Sequence, residues 1–326
     1  MPLQHGSAKP YIGGWARREE GTLSVVVTGA AGFIGAHLVR ELVRRGHRVV
    51  GIDRRDTIPA EATPLVAELS GGCRDVREGL AGADAVFHLA GAPGVRTADP
   101  EASERRRRDN VLAGLAVLRA VPAATTLVVV SSSSVYGGAL HGGRVRASVE
   151  DDPLRPRGGY ARSKAQLEAA CWERLARGGA VAVARPFTVA GEGQREDMAI
   201  ARWLAAARRG APLTIYGSPA RTRDVTDVRD VVEGLIRLAD RQVSGPVNLG
   251  TGSGVPLLEL AAAAARAAGV EPVIAVRPAG ADDPPATLAD TARCRRLLGF
   301  RPRTDLGALV ARQAAAGSRT ELGVAA

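Results

Sequence analysis

An α/β fold with a doubly wound parallel sheet and a smaller C-terminal substrate-binding region is predicted by three features of the sequence. Short β-branched runs alternate with helix-length stretches from Thr22 onward, as strands joined by helical crossovers do. The first run enters a helix through TGAAGFIG, which sets glycines at Gly29, Gly32 and Gly35. The second run ends in a carboxylate, Asp53, 24 residues after Gly29. A glycine turn between strand and helix, followed by an acid at the end of the next strand, describes a Rossmann-type nucleotide-binding domain.

The elements follow in order. SVVVTGA (24–30) reads as the first strand and GFIGAHLVRELVRRG (32–46) as a helix closed by Gly46. HRVVGIDR (47–54) and ADAVFHLA (83–90) are strands, the latter followed by a helix through NVLAGLAVLRAV. TLVVVSSSS (126–134) is a strand, GYARSKAQLEAACWERLARGG (159–179) a helix, and AVAVARPFTV (180–189) a strand. Beyond about residue 187 the texture changes. The helix MAIARWLAAARRG, the short strand PLTIYG and a loop rich in Arg and Asp precede the helix RDVVEGLIRLAD and the strand GPVNLG. An Ala-rich helix, the Pro-rich loop RPAGADDPPATLAD and a closing helix follow. The expected division is an N-terminal extension over 1–22, poorly ordered, and a nucleotide-binding domain over 23–186 plus about 225–250. A sugar-nucleotide-binding region over about 187–224 plus 251–326 completes it.

With 45% apolar and 24% charged residues, the 326-residue chain has the balance of a soluble globular protein with a real core. The longest apolar stretches fall short of a membrane span, and the N-terminus lacks the apolar core of a secretory signal. Cys73, Cys171 and Cys294 are odd in number and scattered, with neither a disulfide framework nor metal-ligand spacing, so a reducing cytoplasm without a bound metal is expected. All but two of the 44 basic residues are Arg, and the net charge is +10. The run ERRRRD (104–109) is flanked by acids and reads as a solvated face, with a phosphate or nucleic-acid role as the alternative.

Glycines at 29, 32 and 35 let a backbone approach a pyrophosphate, and the helix that follows supplies N–H donors. Asp53 suits both ribose hydroxyls of NAD and repels a 2′-phosphate, whereas Arg54 and Arg55 could accept that phosphate. Tyr160 and Lys164 in YARSK are four apart and share a helix face. A phenol near pKa 10 becomes a base at neutral pH only with help, which an ammonium and a positive nicotinamide ring supply. A strand-end hydroxyl from SSSSVYGG could hold the reacting oxygen.

These motifs, with HLAG (88–91), Asn110 in DNVLAG, RPFTV, NLGTG and LADTARCRRLLGFRP, resemble an extended short-chain dehydrogenase/reductase of the sugar-nucleotide epimerase/dehydratase group. The resemblance covers about residues 25–315. It implies Ser132, four residues before Tyr136, as catalytic hydroxyl beside Tyr160 and Lys164. It implies tightly held, recycled NAD at Gly29, Gly32, Phe33, Ile34, Gly35, Asp53 and Arg54, with further contacts from Asp75, Val76, Leu89, Ala90 and Asn110. It also implies a homodimer formed by the Tyr160 helix and the helix before it, with no nucleic-acid or membrane partner.

Within the group, 4,6-dehydratases place Asp-Glu where Ser133 and Ser134 stand, and uronate decarboxylases usually carry Glu at the position of Ser134. Their absence leaves reversible hydride transfer at one carbon. FTVAGEGQREDMA (187–199) is similar to the FTVYGPRQRPDMA run of UDP-glucuronate 4-epimerases. That likeness implies that Thr188 and Arg195, with Ser133 and Ser134, hold a C6 carboxylate. Arg223 matches a diphosphate-binding arginine, Thr214 and Tyr216 lie on the strand beside uracil, and Asp283 matches a ribose-binding position, with Arg277 as a stand-in for an arginine replaced by Gly280. Ala190, Glu192 and Gly193 depart from the run, so a neutral UDP-hexose epimerase and an NADP-dependent ketoreductase remain open. A non-catalytic NAD(P)- or RNA-binding protein of the same fold is the remote alternative.

Overall fold

The computed structural model describes residues 21–94 and 101–321, so the expected N-terminal extension lies almost wholly outside the described residues. β1 (Ser24–Thr28) leads into α1 (Phe33–Arg44), whose Leu38, Val39 and Leu42 are buried. β2 (Arg48–Asp53), β3 (Thr63–Val66), α2 (Arg74–Ala81) and β4 (Ala85–His88) follow. α3 (Ala102–Arg106) passes through a π-helical segment, Arg107–Leu112, into α4 (Ala113–Ala120). β5 (Thr126–Val130) ends before a 3₁₀ turn, Ser133–Tyr136, and a short hairpin of β6 (Leu140–His141) and β7 (Arg144–Val145) precedes α5 (Gly158–Ala176) and β8 (Ala182–Pro186).

The second half contains β9 (Thr188–Ala190), α6 (Ala199–Arg208), β10 (Leu213–Tyr216), β11 (Thr222–Asp227) and α7 (Val228–Asp240). β12 (Gly245–Leu249), β13 (Gly254–Pro256), α8 (Leu257–Ala267), β14 (Ile274–Arg277), α9 (Ala292–Leu298) and α10 (Leu306–Glu321) complete it.

Seven strands form one parallel sheet in the order β12-β8-β5-β4-β1-β2-β3. Helices cover both faces, so its central strands are apolar throughout rather than alternating. α1 and α7 pack one core on Val25, Val27 and Phe87, while α2, α4 and α5 pack another on Val26, Val86 and Val129. A third core joins α6, α8 and α10 around Trp203, Leu204 and Leu260.

Several boundaries differ from expectation. The 180–189 strand is two strands: β8 belongs to the main sheet, and after Pro186 the chain pairs through β9 with β11 instead. The serine run leaves the sheet at Val130 and curls into the 3₁₀ turn. The closing helix is interrupted by Gly299, at φ +61°, giving α9 and α10. β3 was not anticipated because Pro64 interrupts the pattern, and an edge strand tolerates it.

A buried polar network fixes α5 to the sheet. Arg185 on β8 donates through Nε and Nη2 to both oxygens of Glu168 on α5, at 3.0 and 2.6 Å. Ser131 Oγ donates to Glu168 Oε1 at 2.5 Å. Arg185 Nη1 also donates to the Tyr136 hydroxyl at 2.8 Å, which donates to Asn248 Oδ1 at 2.7 Å. Both ion-pair partners are essentially inaccessible, so losing one leaves a buried charge uncompensated.

Glu168→Leu is therefore expected to lower the unfolding free energy by about 3–5 kcal/mol, with Arg185→Met added to Glu168→Leu recovering much of the loss. Denaturant unfolding of wild type and both variants checks this; a double variant no more stable than the single one contradicts it. A second expectation concerns acid. His88, bonded to Thr28 through Nδ1 at 2.8 Å, has its imidazole pushed down to about 3 by burial and the Lys164 charge. Between that value and the ordinary 6.5 the unfolded chain binds a proton that the folded chain does not, so stability falls as pH drops through this window. His88→Asn is expected to lose less stability than wild type between pH 6.5 and 4, read by denaturant unfolding at each pH. Parallel curves would assign the acid sensitivity to other groups.

Candidate active site

The C-terminal ends of β1, β2, β4, β5 and β8 open into one cleft of about 1070 Å³, closed on the far side by the β9–α6 segment, β10, β11 and the 282–287 loop. Its position at the strand ends is where ligands bind in open α/β sheets.

At one end, the turn after β1 is held by Gly29 N donating to Ile52 O at 2.8 Å and Gly32 N to Gly29 O at 2.9 Å. Gly29 adopts φ +73°, and a Cβ there would lie 2.7 Å from Ala90 N. A Cβ on Gly35 would lie 2.1 Å from Gly29 O, so only glycine lets α1 start this close to the turn. α1 has neither an acid in its first turn nor a side-chain cap, leaving its N–H groups and positive end toward the cleft, where Gly32, Phe33 and Ile34 form the wall. Asp53, 9% exposed, accepts from Ala31 N at 3.1 Å and faces the same space. A backbone cradle that side chains would fill, beside a carboxylate suited to a ribose diol, fits NAD. Leu89 and Ala90 line the wall opposite, as expected.

In the middle, Ser132 caps the 3₁₀ turn, accepting from Ser134 N at 3.1 Å, and its side chain faces the Tyr160 phenol. Burial raises the Tyr160 phenol above its ordinary value, opposed by the Ser132 bond and the Arg195 charge. Lys164 donates from Nζ to Val130 O at 2.9 Å, and burial lowers its ammonium to about 8. Ser133 and Ser134 stand on the same wall, and Ser134 Oγ is buried without a partner.

At the other end, Thr188 and Arg195 arrive from β9 and the turn after it. Arg195 Nε donates to Asp197 Oδ1 at 2.8 Å, and Asp197 is held below the usual carboxylate range by that pair. The turn itself is pinned from three helices. His37 Nε2 on α1 lies 2.8 Å from Glu192 O, Arg229 on α7 donates to Glu192 at 2.5 Å, and Arg312 on α10 pairs with it at 3.3 Å. Arg223 Nη2 donates to Asp283 Oδ1 at 2.7 Å, with Thr214 and Tyr216 nearby on the wall.

Four expected contacts are not on this wall. Asp75 is exposed and Val76 is buried in the core beneath α2, while Glu68 and Leu69, which follow β3, line the cleft in their place. Arg277 is exposed on β14, in register with Tyr216 of the cleft wall but not itself part of that wall. Asn110 lies behind the wall, accepting from Ala92 N at 2.6 Å and donating to Ser163 Oγ at 2.8 Å, which makes it a brace for the loop after β4. The arginine run also divides, since Arg105 and Arg106 reach the cleft whereas Arg107 is exposed beside Glu104.

Comparison with known proteins accords with this geometry. A Bacillus subtilis protein described as the uncharacterized UDP-glucose epimerase YtcB is 30% identical over 304 residues, 87% of this chain and 94% of that protein. UDP-glucuronic acid decarboxylase 2 of Arabidopsis thaliana is 32% identical over 297 residues, 87% of this chain and 66% of that longer protein. Among solved structures, MoeE5 with UDP-glucose and NAD superposes with a TM-score of 0.82 at 38% identity, covering 91% of this chain and 99% of MoeE5, and it is also known with UDP-glucuronic acid and NAD. The UDP-glucuronic acid 4-epimerase of Bacillus cereus, with UDP-glucuronic acid and NAD, gives a TM-score of 0.83 at 25% identity, covering 91% of this chain and all of that one. Residues 25–250 match the model of the NAD dependent epimerase/dehydratase family, and with the glycine cradle, Asp53 and the Ser132–Tyr160–Lys164 triple in one cleft, this chain belongs to that family.

Proposed function

We propose that the protein is a UDP-sugar 4-epimerase and that its substrate is UDP-glucuronate, interconverted with UDP-galacturonate. The observation that carries this reading is the position of Arg195, which lines the same cleft as Tyr160, Ser132, Ser133, Ser134 and Thr188. A planar guanidinium beside the site of C4 chemistry suits a carboxylate at C6. Ser134 Oγ, buried and unpartnered on the same wall, is a further donor for it.

Tyr160 takes the proton of the C4 hydroxyl, and Ser132 holds that oxygen as the charge develops. Lys164, anchored on Val130 O one helical turn from Tyr160, presents its remaining N–H groups and its charge to the cleft. Bound NAD supplies the hydride acceptor and, once reduced, the donor. Arg223 favours the diphosphate about which the 4-keto sugar turns before reduction from its other face. That keto sugar is a β-keto acid, and a grip on its carboxylate by Arg195, Thr188 and the serines turns the scissile bond out of alignment with the carbonyl. Ser134, in place of an acid, leaves decarboxylation without a proton carrier. A homodimer through α4 and α5 belongs to the same proposal.

The Arg195–Asp197 pair is the observation that favours a second reading, a neutral UDP-hexose. Incubation with UDP-glucuronate and UDP-glucose separately, reading C4 configuration and any pentose product by NMR, distinguishes them. Tyr160→Phe is expected to lower kcat by about 10²–10⁴ on whichever sugar turns over, as loss of a positioned acid–base group does. Arg195→Ala is expected to raise KM for UDP-glucuronate by about tenfold, the value of a charge-assisted contact, and to leave UDP-glucose within about twofold. Equal loss on both sugars would sink the carboxylate role.

A further inference from the structure

Asp53, Arg54 and Arg55 carry opposite signals about the cofactor, since the carboxylate suits a ribose diol and the two guanidiniums suit a 2′-phosphate. The cleft shows how the conflict is resolved. Arg55 folds back on Asp53, donating from Nε and Nη2 at 3.2 and 3.3 Å. Arg54 turns away to the π-helical segment, where its Nη1 donates to Asp109 Oδ2 at 3.0 Å. Arg108 Nε donates to the other oxygen, Oδ1, at 2.7 Å. Asp109 is 6% exposed, whereas the Arg54 side chain is 48% exposed, so the acid is the fixed partner and the arginine the movable one. Asp53, Arg54, Arg55 and Asp109 all line the same part of the cleft.

We propose that Asp109 is a determinant of cofactor selectivity, which keeps NADP out by holding Arg54 away from the ribose end of the cleft. It occupies the guanidinium that a 2′-phosphate needs, and because selectivity is a difference of affinities, a contact withheld from NADP favours NAD. The last residue of ERRRRD is in this way the acid that disarms an arginine outside the run. The position of the π-helical segment supports this, because such a bulge re-aims the side chains it carries and is common at functional sites.

Binding rather than turnover tests the proposal. Purified protein is equilibrated with equimolar NAD and NADP, unbound nucleotide is removed, and the bound fraction is released by denaturation and separated chromatographically. Wild type is expected to hold NAD almost alone. Asp109→Asn, which keeps the shape and removes the charge, is expected to raise the bound NADP:NAD ratio by about tenfold, the size of one charge-assisted hydrogen bond to a half-exposed guanidinium. Adding Arg54→Ala to Asp109→Asn is expected to return the ratio to near wild type. An unchanged ratio in folded Asp109→Asn, or a gain that survives Arg54→Ala, overturns the proposal. Should Asp109→Asn not fold, Arg54→Ala alone decides. A ratio within about twofold of wild type shows that Arg54 is already withdrawn. A clear fall shows that it already serves NADP and overturns the assignment.

Discussion

The site depends on the buried pair of Arg185 and Glu168. Tyr160, Lys164 and Glu168 follow one another at intervals of four on α5 and so form a single stripe. Glu168 is the lowest member of that stripe, and Arg185 and Ser131 fasten it to β8 and the end of β5. One turn above, Lys164 meets Val130 O, and another turn above, Tyr160 meets Ser132. The consecutive residues Val130, Ser131 and Ser132 thus engage Lys164, Glu168 and Tyr160 respectively. Register between strand end and helix is set at the charged, inaccessible position, where an alternative pairing would strand a charge. The Tyr160–Lys164 pair inherits its geometry from there.

The same burial sets the electrostatics. Removing water raises the Tyr160 phenol, lowers the Lys164 ammonium to about 8 and leaves His88 neutral behind them. The cleft arginines around this buried group share a common device. Arg195 holds Asp197, Arg223 holds Asp283, and Arg54 holds Asp109. An internal carboxylate keeps each guanidinium ordered and offsets its charge. At Arg195 and Arg223 an anionic ligand must share or displace that acid, so affinity there is a difference between two anions rather than the full attraction to one.

Local signals made most of the architecture legible. The glycine turn, Asp53 and the YARSK face are each specified by residues close in sequence, and they fall where expected. Less legible were features that depend on tertiary partners. Pro64 masks the edge strand that brings Glu68 and Leu69 to the cleft, where Asp75 and Val76 do not reach. Arg277, the stand-in for an arginine replaced by Gly280, is exposed on β14 and does not line the cleft. The four serines illustrate both cases. The resemblance singles out Ser132 within their run, and the fold adds what the run does not show, that Ser131 is consumed by Glu168 while Ser132 faces Tyr160.

The departures at Ala190, Glu192 and Gly193 acquire a common explanation. Ala190 is fully buried in the core of α6, α8 and α10, where a larger ring has no room without repacking. Gly193 adopts φ +76°, a turn a side chain would strain, with Phe33 of the nucleotide end beside it. Glu192 is held by Arg229 and Arg312, two residues far away in sequence that a local motif cannot record. Glu192 therefore supplies a clamp, and Ala190 and Gly193 fit the packing and the turn around it. The clamp ties the turn to α1, α7 and α10, while Arg195 stands on the cleft wall.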